Sequence, residues 1–192
     1  GLCPQLQSNK QRDLSQSVWQ RKQRAWKNLN LTLVSPSTWL AECAKQSSLF
    51  KDVRVEVIPH GLDIETYKPI DRLLARRLLN LPQDKQIILF GAAGVATDDP
   101  RKGFYLLQSA LQKLSKSECL DNVELVVFGA TEPEKPIELG FKTHYLGRLH
   151  DDISLALVYS TADVMIVPSI QEAFGQTASE SLACGVPVVA FN

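Results

Sequence analysis

The sequence predicts an α/β protein in which a parallel sheet carries helices on both faces. Three observations lead there. From Gln86 onward, short apolar runs such as Ile87-Ile88-Leu89-Phe90 alternate with segments of helical period, the order of strand–helix–strand crossovers. The runs are apolar enough to be buried on both faces, as strands of a parallel sheet are. They end at chain-turning residues: Gly91, Gly129, Gly147 and the loop from Pro168 to Gly175. In open parallel sheets ligands bind beyond the carboxyl ends of the strands, so these four loops mark a candidate site.

Size and composition set the bounds. A chain of 192 residues accommodates one large domain, or one small domain with part of another. An apolar share of 44% is ordinary for a globular protein and sufficient for a core. The 21 basic and 21 acidic residues cancel, which argues against nucleic acid as a bulk electrostatic partner. No segment is apolar enough to span a bilayer, and none of these residues reads as a secretory signal, so neither is expected. Cys3, Cys43, Cys119 and Cys184 form no C-x-x-C pair, so neither zinc nor a disulfide framework is expected, and a cytoplasmic setting fits best. The chain opens at Gly1 rather than Met and stops on a strand-like run ending at Phe191 and Asn192. That pattern predicts a fragment of a longer polypeptide, inactive by itself and inclined to self-associate through uncovered sheet edges.

Taken in order, residues 13–29 predict a helix with Leu14, Val18, Ala25 and Leu29 on one face and Trp19 and Trp26 beside it. Arg21, Lys22, Arg24 and Lys27 cover the other face. The favoured reading is a solvated surface, and peripheral contact with an anionic membrane is the alternative. Residues 31–34 predict a strand, Ser35-Pro36-Ser37 a capping turn, 39–46 a helix and 53–58 a second strand. Pro59-His60-Gly61 ends that strand, and the aperiodic stretch 62–69 behaves as a linker. The boundary therefore divides residues 1–60 from 61–192. Beyond it come a helix over 71–79, strands over 86–90, 123–128, 142–146 and 164–167, and helices over 104–114 and 151–160. A loop and helix follow around Glu172, with a final strand over 188–191.

The stretch Gln171-Glu-Ala-Phe-Gly-Gln-Thr-Ala-Ser-Glu180 carries the clearest chemistry. Glu172 and Glu180 bracket Phe174-Gly175-Gln176-Thr177 at the start of a helix, whose first N–H groups have no internal partner and suit a phosphate. Gly175 lets such a group approach the backbone closely. Arg101-Lys102-Gly103 follows another strand end and supplies a lysine able to reach a diphosphate if the two strands are neighbours. The Gly91-Ala92-Ala93-Gly94 segment matches neither a Walker loop nor G-x-G-x-x-G, which disfavours phosphoryl transfer from ATP. Taken alone, Glu172 reads as a helix cap, Glu180 as a solvated helix position, and Arg101 and Lys102 as exposed charges. The paired carboxylates also admit a glycosidase, though a phosphate-binding helix end between them fits a nucleotide better. His60, His144 and His150 do not share a ligand spacing, so no metal is expected. A ligand contact from His150, at a strand end, is the minor reading.

Tyr159-Ser-Thr-Ala-Asp-Val-Met-Ile-Val-Pro-Ser169, then Glu172-Ala-Phe-Gly175 and Glu180, closely resembles family 4 of the retaining glycosyltransferases with the GT-B fold. Cys184-Gly-Val-Pro-Val-Val-Ala190 is similar to its continuation, Ile58-Pro-His-Gly-Leu-Asp63 to its interdomain linker and Arg101-Lys102-Gly103 to its diphosphate lysine segment. The resemblance implies a Rossmann-like donor domain over 61–192 and the end of an acceptor domain over 1–60. It implies sugar transfer from a nucleotide-diphosphate sugar to a sugar or lipid-linked acceptor, with retention, in polysaccharide or glycolipid synthesis. Catalysis by a hexosyltransferase of this kind would rest on Glu172, which contacts the transferred sugar, and on Lys102, which binds the diphosphate. Phe174, Gly175, Gln176 and Thr177 would supply backbone contacts, Glu180 would hold the ribose, and Gly147, Arg148 and Leu149 would lie near the base. No cofactor is implied. Where many members carry an arginine after the first glycine of this domain, this chain has Ala92 or Ala93, so Arg101 is expected to assist Lys102. The weaker alternatives are a nucleotide-sugar binding module without turnover and a sugar-nucleotide epimerase of the same fold. The cytoplasm, with peripheral contact at the inner membrane face, is the expected location.

Overall fold

The computed structural model describes residues 1–92, 99–117, 120–135 and 137–191, so Ala93, Gly94 and Cys119 lie outside the described residues. The chain divides into two compact units, Gly1–His60 and Gly61–Asn192.

In the first unit, α1 (Leu14–Trp26) precedes β1 (Thr32–Ser35), α2 (Thr38–Gln46) and β2 (Arg54–Val57), and the two strands pair in parallel. Asp13 and Ser37 accept hydrogen bonds from the first-turn amides of α1 and α2, as N-cap residues do. The face that α1 turns inward differs from the expected one. Its aromatic rings decide the rotation: Trp26 stacks on Phe50 at 5.4 Å and the Trp19 indole donates to Ser48. Leu14 is 66% exposed, and Leu29 lies beyond the end of the helix.

The second unit holds α3 (Arg72–Leu78), β3 (Gln86–Gly91), α4 (Phe104–Leu114), β4 (Val123–Phe128), β5 (Thr143–Tyr145), α5 (Asp152–Tyr159), β6 (Val164–Val167), α6 (Gln176–Ala183) and β7 (Val188–Ala190). Its sheet is parallel throughout, in the order β5-β4-β3-β6-β7. Alternate side chains feed two cores. Ile87, Leu89, Val126 and Met165 join residues of α5 on one face, while Ile88, Phe90, Leu125 and Val127 meet Leu107 and Leu111 of α4 on the other. Segment 62–69 is packed rather than loose, because Tyr67 is 5% exposed and its hydroxyl donates to Asp152 at 3.0 Å.

The sheet reverses its winding between β3 and β6. There the strands pair only at Ile88↔Val164 and Leu89↔Met165. Beyond those residues β3 stays paired with β4 as far as Gly91↔Phe128, and β6 with β7 as far as Val167↔Ala190. The two halves of the sheet part company at their carboxyl ends. At the opposite end they are fastened by Arg76, 3% exposed, which donates to the Thr161 carbonyl at 2.9 Å, the Lys85 carbonyl at 2.8 Å and the Asp163 carboxylate at 2.8 Å. Asp163 also accepts from the Ile87 amide at 2.7 Å and from Arg72. A buried guanidinium is tolerated when its donors are met in this way.

Candidate active site

A cleft of about 1400 Å³ opens where the sheet parts, walled by the ends of β3, β4 and β6 and by the loops leaving them. This is the position at which doubly wound sheets hold ligands.

Two of those loops are locked together. The Ile170 amide donates to the Arg101 carbonyl at 2.7 Å. Gly103, at φ +63°, lies so close that an added Cβ would sit 1.8 Å from the Pro168 carbonyl oxygen. Both crowding and backbone angle therefore require glycine. The contact sets Lys102, on the single turn Pro100–Lys102, against Glu172, with Nζ 2.7 Å from Oε1. Both side chains are partly exposed, at 49% and 35%. Partial burial pushes the Glu172 carboxyl upward, but hydrogen bonds from Lys102 and Ser169 and the Lys102 charge outweigh it and hold it below the ordinary glutamate range.

The helices of this unit differ at their starts. Asp71 and Asp151 cap α3 and α5, whereas α4 and α6 begin on Gly103 and Gly175 with no side-chain cap. The leading amides of α6 thus have no side-chain cap, and the helix dipole adds partial positive charge there. Gly175 has φ +79°, yet a Cβ would meet nothing within 4 Å, so only its backbone angle asks for glycine. Further along α6, Glu180 is 4% exposed rather than solvated. The Tyr159 hydroxyl donates to its Oε2 at 2.7 Å. Burial, and then the hydrogen bond to Glu180, push the Tyr159 phenol far above its ordinary value.

Among the residues expected from sequence, Lys102, Glu172 and Glu180 line the cleft, as do Arg148 and Leu149 beyond β5 and Gln176 and Thr177 at the start of α6. Gly147, Phe174 and Gly175 belong to the same loops without lining it, and His150 does not line it either. Arg101 is not brought in. Its guanidinium is turned to Asp99 through contacts of 3.0, 3.2 and 2.7 Å, so the expected help to Lys102 would require this partly exposed pair to open, as the Lys102–Glu172 pair would have to. Ala92 lines the cleft.

Sequence reasoning gave Tyr159 and Ser169 no role beyond membership of the family motif, and it passed over Asp99. Asp99 before Pro100 is an N-cap signal that would have found the turn. A tyrosine ending an otherwise apolar helix signals a buried ring with a polar tip. Nothing local singles out Ser169. Among the described residues no group of three or more His, Cys, Asp or Glu side chains is placed to hold a metal ion, and no helix is long and apolar enough to cross a membrane.

The chain is similar to several known proteins. The D-inositol 3-phosphate glycosyltransferase of Geodermatophilus obscurus is 36% identical over 151 residues, 71% of this chain and 32% of that protein. Its counterpart in Mycobacterium tuberculosis is 31% identical over 150 residues, 71% of this chain and 29% of that one. The chain thus spans about a third of the length of the curated relatives it matches. Among solved structures, sucrose-phosphate synthase from Thermosynechococcus elongatus matches with a TM-score of 0.66 at 27% identity, covering 97% of this chain and 47% of the other. Anabaena HepE in complex with UDP and glucose shares the fold at a TM-score of 0.68 and 20% identity, over 92% of this chain and 48% of its own. The model of the family described as glycosyl transferases group 1 matches residues 85–192, more than half of the chain, and the chain belongs to that family.

Proposed function

We propose that the protein transfers a sugar from a nucleotide-diphosphate sugar to an acceptor hydroxyl with retention of configuration, as a hexosyltransferase. The observation that carries this reading is the Lys102–Glu172 pair beside the uncapped first turn of α6, at the parting of the sheet. Breaking the bond between the anomeric carbon and the phosphate leaves negative charge on the departing diphosphate. Lys102, once exchanged from Glu172, and the leading amides of α6, at Gln176 and Thr177, stabilise that charge as it grows, which lowers the barrier without calling on a metal. Phe174 and Gly175 contribute backbone to the same cradle. Glu172 orients the sugar rather than attacking it, and the acceptor enters on the face from which the diphosphate leaves. Glu180 takes the ribose hydroxyls, while Gly147, Arg148 and Leu149 border the base.

In this reading residues 61–192 bind the donor and residues 1–60 belong to an acceptor-binding part. A lipid-linked acceptor, as in polysaccharide or glycolipid synthesis, would suit the exposed basic side chains Arg21, Lys22 and Arg24 of α1, through electrostatic contact with an anionic membrane face. The decisive experiment incubates the intact protein with UDP-, GDP- and ADP-sugars and acceptor sugars, and assigns the anomeric configuration of the product by NMR. An inverted product, or tight nucleotide binding with neither transfer nor slow donor hydrolysis, would overturn the proposal.

A further inference from the structure

Glu180 is an acceptor held in a nearly dry wall of the cleft, 4% exposed. The hydrogen bond that fixes it comes from Tyr159, the last residue of α5, at 2.7 Å. The donor is itself immobilised. Its ring is fully buried, meets the edge of Phe128 at 5.5 Å and leans against Tyr67 at 6.4 Å. Burial and the adjacent carboxylate keep the phenol protonated across the physiological range, so this group gives a proton and never takes one from Glu180. Among the described residues no hydrogen bond to Oε1 accompanies the one to Oε2, and a ligand that took Oε1 must bring a donor.

We infer that Tyr159 is a positioning residue for nucleotide selection: by anchoring Oε2 of Glu180 it aims Oε1 at a sugar hydroxyl of the nucleoside and so makes the site demand a ribonucleotide. The inference rests on the reading that Glu180 takes the ribose, and the test separates the two. Calorimetry on the intact protein compares UDP, GDP and ADP with their 2′,3′-dideoxy counterparts. The unaltered protein favours a ribonucleotide by about 10- to 100-fold, the range for hydrogen bonds to a charged group, and Tyr159→Phe removes most of that preference while leaving dideoxy affinity within about twofold. Tyr67→Phe deletes another phenol–carboxylate bond of the same cluster, part-buried and directed at Asp152, and serves as control: it lowers the melting temperature without moving the ratio.

A preference that survives in folded Tyr159→Phe overturns the positioning role and spares the ribose reading, and parallel loss of both nucleotide types also overturns the role. Equal binding of ribo and dideoxy forms by the unaltered protein, or no binding of either, overturns both. Should Tyr159→Phe fail to fold, a ring-fluorinated tyrosine at this position, nearly isosteric and a stronger donor, raises the ratio; an unmoved ratio overturns the inference.

Discussion

The ammonium of Lys102 and the carboxylate of Glu172, seventy positions apart in sequence, meet at 2.7 Å across two crossover loops. Each is matched by the other, so in the proposed reaction a diphosphate would have to take Lys102 from Glu172. Glu172→Gln removes that competition, and bare nucleoside diphosphate is expected to bind about two- to fivefold tighter, the range for a partly exposed ion pair. Sugar transfer by the same variant falls. Calorimetry beside steady-state kinetics checks both, and weaker diphosphate binding would contradict the exchange.

Lys102→Ala is expected to reduce turnover by about a hundredfold to a thousandfold, the effect of removing one group aimed at developing charge. Steady-state kinetics on the intact protein measures it. Arg101→Ala, which disturbs only the Asp99 pair, should change turnover by less than about threefold, since exposed pairs are worth little.

The depressed Glu172 carboxyl also has a consequence for stability. The folded value lies below that of the unfolded chain, so the contribution is fully present above the unfolded value and is lost as pH falls through the folded one. Solvent screening of two partly exposed side chains limits it to at most about 1 kcal/mol. Melting temperatures taken from neutral pH into acid should fall more steeply for the unaltered protein than for Glu172→Gln.

Two glycines should respond differently to the same substitution. Gly103→Ala drives a Cβ into the Pro168 carbonyl and forces the two loops apart, costing several times more stability than Gly175→Ala. At Gly175 there is only a left-handed backbone angle to oppose, a penalty of about 1–2 kcal/mol. Urea unfolding of the two variants ranks them.

Burial, and then the Glu180 charge, push the Cys184 thiol up to about 11 despite a hydrogen bond with Ser160. With 3% of its surface exposed, it should resist iodoacetamide at neutral pH while the exposed Cys43 reacts readily. Mass spectrometry of the labelled peptides distinguishes them.

Much of this architecture was legible because local signals agreed with the global pattern. Helix Phe104–Leu114 and strands Val123–Phe128 and Val164–Val167 fall where periodicity and a flanking glycine or proline put them. The first helix was legible in position but not in rotation, since two indole rings with partners distant in sequence outweigh scattered leucines. The burial of Tyr67 was hidden because a lone aromatic in an aperiodic stretch has no pattern to betray it. At the site, the motif residues Lys102, Glu172 and Glu180 were visible as residue types at a spacing. Their tethers Asp99, Ser169 and Tyr159 were not, because a tether is a three-dimensional relation that leaves no period along the chain.

The Arg76 clamp joins β3 and β6 through atoms that do not line the cleft. Because pairing between the two strands ends at Leu89 and Met165, their mutual spacing rests heavily on this polar knot. Removing the Asp163 carboxylate would leave a buried guanidinium short of its charged partner, so a residue outside the cleft helps to keep its two walls in register.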